Sequence, residues 1–171
     1  MFPAATPTVA GGSDADMAKA NPKGNAQSGE VTQGLRIFVA ETYAMVAKTQ
    51  ACHWNMTGPG FIGLHKLTEE QYRELFTAAD ELAERARALN VEAPHGLTEI
   101  RELSSIEDAP IALTTQEAAR LLAEDNSAIA ERAAALAEAA DEADDLATHD
   151  MLVARIQVHQ KAAWLLRSHL D

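Results

Sequence analysis

The 171-residue chain is short of several things at once. It has one cysteine, Cys52, so no internal disulfide can form, and a thiolate-rich zinc or iron–sulfur site is excluded. That usage fits a reducing compartment. No apolar run approaches the eighteen or so residues of a membrane span, and Ala162 to Leu166 is among the longest. The opening MFPAATPTVAGG lacks the basic region and long apolar stretch of a secretory signal, so a soluble, cytoplasmic protein is expected. Basic residues are few: 14 Lys and Arg against 26 Asp and Glu give a net charge of -12. Such a body repels phosphate backbones and attracts cations. What is present is a 47% apolar composition with 23% charged residues, enough for one folded domain and incompatible with global disorder.

Four of the nine glycines and three of the six prolines fall between Met1 and Gly29. Residues 1–30 therefore read as a flexible tail, and 31–171 as the domain. Beyond it, apolar residues recur every three or four positions in an Ala, Leu, Glu and Arg background, which is the helical period. The pattern predicts long helices over about Val31–Met56, Phe61–Leu89, Thr115–Glu138 and Leu146–Leu170, with a short one over Leu97–Leu103 that Thr98 is placed to cap. Thr114 or Thr115 with Glu117 forms a capping-box signature before the third long helix. Helices of about 35 to 45 Å match in length. The predicted fold is all-α: a four-helix bundle of two hairpins joined by one crossover containing the short helix.

Metal-binding side chains concentrate in the first hairpin. His53 ends the first helix, and the second carries His65 and Glu69, then Asp80 and Glu84, each pair one turn apart. At 100° per residue these four share one stripe, but the pairs lie about 22 Å apart along the axis, so one ion cannot reach both within a chain. Two arrangements satisfy this. Either Asp80 and Glu84 are part of a solvated face, as most exposed carboxylates are, or two copies of the helix cross antiparallel about a two-fold axis and bring the pairs together. Carboxylates so gathered repel one another and persist best around a cation; His with carboxylate suits iron and leaves coordination positions open.

The run His53-Trp54-Asn55, Gly58-Pro59, Phe61, Leu64-His65, Glu69, Tyr72, Asp80 and Ala83-Glu84-Arg85 resembles the Dps family, the miniferritins of the ferritin-like superfamily. The resemblance extends over about Val31 to Leu170 and includes Asp145, Thr148, Asp150, Lys161 and Trp164. It implies a ferritin-like bundle assembled as a twelve-subunit shell, with ferroxidase sites at two-fold interfaces. His53, His65 and Glu69 would come from one subunit, Asp80 and Glu84 from its partner. Many members have Asp where this chain has Glu69. The implied chemistry is oxidation of Fe(II), with hydrogen peroxide as oxidant, and storage of ferric mineral as protection from oxidative damage. Trp54 would be an electron donor or an aromatic closing the bundle end, and Asp145 and Asp150 would line an iron-uptake pore.

The remaining groups have plainer readings. His159 falls on an apolar stripe and is expected to be a core or interface histidine with a hydrogen-bond partner. His95, His149 and His169 are expected at helix ends or exposed, Cys52 as a small buried residue and Trp164 as packing. Lys19 and Lys23 are the tail's only basic side chains, balanced by Asp14 and Asp16, so DNA binding is expected to be weak or absent. Two other functions compete: nucleoid compaction with iron handling secondary, and a structural bundle holding zinc.

Overall fold

The structure is a computed structural model that describes residues 22–170, with side chains from residue 28 onward. Its elements in chain order are α1 (Pro22–Asn55), β1 (Met56–Thr57), α2 (Phe61–Ala88), α3 (Leu97–Leu103), β2 (Leu113–Thr114), α4 (Thr115–Glu142) and α5 (Leu146–Arg167). The four long helices form the expected bundle, with α1 against α2 and α4 against α5 as its most extensive contacts. Leu35, Phe38, Met45, Leu64, Leu82, Leu122, Ile129, Leu152 and Leu166 fill the centre and are fully buried or nearly so. No helix among the described residues is long and apolar enough to cross a membrane.

Local chemistry sets the boundaries. α4 starts on the anticipated capping box: Thr114 accepts from the Glu117 amide, and the Glu117 carboxylate accepts from the Thr114 amide at 2.8 Å. α2 and α4 both close on a left-handed residue, Asn90 at φ 62° and Asp144 at φ 57°. The next amides, of Val91 and Asp145, then reach back to the Ala86 and Ala140 carbonyls. α3 is present, but the residue before it is Gly96 and Thr98 makes no cap; the Glu99 carboxylate instead accepts from the His95 amide.

One boundary differs clearly. α1 begins at Pro22 rather than Val31, so residues 22–30, expected to belong to the tail, are helical, and residues 1–21 lie outside the described residues. Proline at a helix's first position loses no needed donor, and Gly24 and Gly29 cost about 1 kcal/mol each relative to alanine without breaking the helix. At the other end of α1, β1 pairs in parallel with β2, Met56 opposite Leu113 and Thr57 opposite Thr114. This bridge pins the returning crossover beside the end of α1, and the Thr115 hydroxyl adds a bond to the Pro59 carbonyl. The α1–α2 turn is thereby fixed just where the histidines lie.

Candidate metal centre

His53 is the third residue from the end of α1 and His65 the fifth of α2, so the short turn between the helices brings the rings face to face. Their centroids are 3.7 Å apart at an interplanar angle of 13°. Each ring also bonds the other residue's backbone. His53 Nδ1 lies 2.9 Å from the His65 carbonyl, and His65 Nδ1 lies 3.1 Å from the His53 carbonyl. Carbonyl oxygens only accept, so both Nδ1 atoms carry the proton and both Nε2 atoms present a lone pair. That tautomer is the one a metal needs, and backbone carbonyls are common outer partners of ligating histidines.

Three neighbours fix these rings, none of which the sequence pattern singled out as a support. The Thr68 hydroxyl sits 3.1 Å from His53 Nδ1 and is itself anchored on the Leu64 carbonyl at 2.8 Å. Tyr72 meets the His53 ring edge-on at 5.3 Å between centroids, and Phe61 stacks on His65 at 4.9 Å. The one-turn spacing from His65 to Thr68 and from Thr68 to Tyr72 is visible in the sequence. Its meaning is not, because the group it supports belongs to the other helix.

Glu69 lies on the same face, one turn beyond His65, and forms an ion pair with Arg73. Asp80 and Glu84 are exposed and carry no hydrogen bond or ion pair among the described residues. Among the described residues no group of three or more His, Cys, Asp or Glu converges on a single point. The chain therefore presents two half-sets: two prepared histidines with a carboxylate, and a separate pair of carboxylates.

Other residues singled out from sequence sort as follows. Trp54 is 66% exposed and does not close the bundle of its own chain; Trp164 is likewise exposed rather than internal packing. Asp145 caps α5, accepting from the Thr148 amide at 3.1 Å, the Thr148 hydroxyl at 2.6 Å and Arg85 at 2.6 Å. Burial works against its charge, yet the Thr148 bonds and the Arg85 guanidinium outweigh it and hold the carboxyl below its ordinary range. With both oxygens so used, Asp145 serves the fold first, whereas Asp150 is exposed. Lys19 lies outside the described residues; Lys23 falls in the first turn of α1, its side chain outside them too. His159 is fully buried, with Nδ1 2.8 Å from Asn126 Oδ1, and desolvation followed by the Arg155 and Arg132 charges pulls its pKa down to about 3. Cys52 is buried, and desolvation pushes its thiol up to about 11, so it is no ready thiolate ligand. His95 and His169 are exposed, and His149 is half-buried.

The chain matches the ferritin-like domain model over residues 33–171. General stress protein 20U of Bacillus subtilis is 34% identical over 143 residues, covering 84% of this chain and 99% of that protein. DNA protection during starvation protein 2 of Bacillus anthracis is 31% identical, over 83% of this chain and 97% of that protein. The solved Dps from Thermosynechococcus elongatus superposes with a TM-score of 0.83 at 28% identity, covering 87% of this chain and 95% of that one. Helix order, crossover and chain-long similarity agree, and the protein belongs to the ferritin-like family, within its Dps, or miniferritin, branch.

Proposed function

We propose that this protein is a ferroxidase and iron-storage shell, oxidising Fe(II) at sites shared between two subunits. One observation carries the reading. His65 and Glu69 centre on position 67, Asp80 and Glu84 on position 82, so a two-fold axis exchanging the pairs must cross α2 between Glu74 and Leu75. Beside that point Phe76 stands 58% exposed, an aromatic that the isolated chain leaves uncovered. Grooves flank it on both sides, one lined by Val39, Tyr43, Ala79 and Asp80, the other by Val46, Gln50 and Tyr72. An apolar centre between two polar half-sites is the anatomy of a symmetric dimer contact.

In that arrangement His53, His65 and Glu69 of one subunit face Asp80 and Glu84 of its partner. The two Nε2 lone pairs hold Fe(II) as substrate, and the carboxylates favour the harder Fe(III). Glu69 has to trade Arg73 for the metal, which leaves Arg73 beside the site as a balancing charge. Each Fe(II) gives one electron and hydrogen peroxide accepts two, so a second Fe(II) or a side chain such as Trp54 supplies the other. Ferric product leaves for mineral inside a closed shell, twelve subunits in this family's plan, with exposed Asp150 near an uptake route and Asp145 holding its helix.

Complementation tests the shared site. His65→Ala and Asp80→Ala should each abolish peroxide-dependent Fe(II) oxidation. Co-assembled, they rebuild one intact site in every mixed pair, so random pairing should restore about a quarter of the wild-type sites. No recovery in verified mixed assemblies would overturn the intersubunit assignment. Metal bound without oxidation above buffer would instead favour a structural zinc site.

A further inference from the structure

On the side of α1 facing α4, away from the half-sites, runs a groove of about 260 Å³ between the two helices. Its walls are mostly apolar or small, formed by Gly34, Ile37, Phe38, Ala135, Leu136 and Ala139, with Glu30 lining it as well. Arg132 also lines it, held through Nε by the buried Glu41 carboxylate at 2.8 Å, while its Nη2 is shielded from water and has no hydrogen-bond partner among the described residues. A shielded donor without an acceptor is costly, and the usual remedy is a carbonyl oxygen or a water.

We propose that this groove is the docking site of the chain's own residues Phe2–Val9. Three observations select that occupant. The stretch FPAATPTV is uncharged, unlike the following Ser13–Lys23 with its mixed charges, and it carries two of the tail's large apolar side chains, Phe2 and Val9, where Ser13–Lys23 has Met17 alone. Pro3 and Pro7 bring no N–H to be buried and favour an extended backbone whose carbonyls remain free to accept. A small swing of the Arg132 guanidinium about its Glu41 anchor meets such a carbonyl. Reach is the third. Gly34 to Phe38 lie about 18 to 24 Å along α1 from Pro22. The thirteen residues from Val9 to Pro22 extend up to about 43 Å, with Gly11 and Gly12 to turn the chain back. Tethering gives the same subunit's segment an effective concentration in the millimolar range, ahead of any free peptide. This assignment is independent of the metal chemistry.

The test uses the full-length assembled protein. Ala135→Cys puts a thiol on the exposed wall of the groove, Arg120→Cys puts one about 22 Å away on α4 as control, and Cys52 is buried and silent. Adding Phe2→Asp with Val9→Asp should speed maleimide labelling of Ala135→Cys at least threefold and leave Arg120→Cys unchanged. Equal rates at Ala135→Cys with and without the two Asp changes would overturn the proposal. Ala5→Cys paired with Ala135→Cys should oxidise to a crosslink within one chain. Crosslinks only between chains would refute docking on the same subunit.

Discussion

His159 is a neutral base in the middle of the bundle, donating to Asn126 with the Arg155 guanidinium against its other nitrogen at 3.3 Å. Its folded-state pKa of about 3 lies below the ordinary 6.5, so below pH 6.5 the unfolded chain takes up a proton that the folded chain refuses. The stability tied to this residue is complete above 6.5 and declines as pH falls toward 3, by up to about 1.4 kcal/mol per pH unit. Denaturant titrations between pH 7 and 5 should show that slope in the wild type and a flatter one in His159→Leu. A difference also separates the two acidic candidates near α5. Asp145→Ala removes a helix cap and an ion pair and should cost about 2 kcal/mol; Asp150→Asn, exposed, should stay within about 0.5 kcal/mol. Because the Asp145 carboxyl is held below its ordinary range, its contribution is present above that range and is lost only as pH falls through the lowered value.

Among the described glycines the tightest neighbour is at Gly34, where a β-carbon would lie 2.4 Å from a Leu136 methyl. Gly34→Ala gains up to about 1 kcal/mol of helix propensity and loses a similar amount moving the flexible Leu136 tip, so it should change stability by less than about 1 kcal/mol. Gly34→Ile adds bulk that the contact cannot absorb and should lower stability by about 2 kcal/mol or more in thermal or denaturant unfolding. The helices themselves were legible from apolar period, the Thr114–Glu117 signature and breakers such as Gly58-Pro59-Gly60, because those signals are local. The start of α1 was not: its glycines and Pro22 look like tail composition, yet proline suits a first turn and two glycines weaken a long helix without ending it. At the site, the spacing of His65, Glu69, Asp80 and Glu84 exposed the 22 Å problem, whereas the exchanged histidine–carbonyl bonds depend on the turn bringing two helices together. Trp54 and Trp164 show the same limit from another side. An apolar type does not say whether its cover is its own chain.

Over the whole molecule, the exposed Phe76 and the net charge of -12 make opposite demands. The first asks for a partner copy; the second repels phosphate, and the proposed twelve-subunit shell would multiply it. Phe76→Asp should leave the helical content intact and shift the protein to smaller species in light scattering, with Fe(II) oxidation falling in parallel. Duplex DNA should show no retention by the wild-type assembly near physiological ionic strength, in a gel-shift or anisotropy titration.

The proposed division of metal ligands between two chains would also fix a reaction order. On that proposal a subunit with His53, His65 and Glu69 at one place and Asp80 and Glu84 at another would hold no complete centre of its own, so turnover would scale with paired subunits rather than with chains. Dilution past the dissociation point of the pair should then extinguish oxidation faster than linearly, and a freshly synthesised chain should stay inert toward iron until it finds its double.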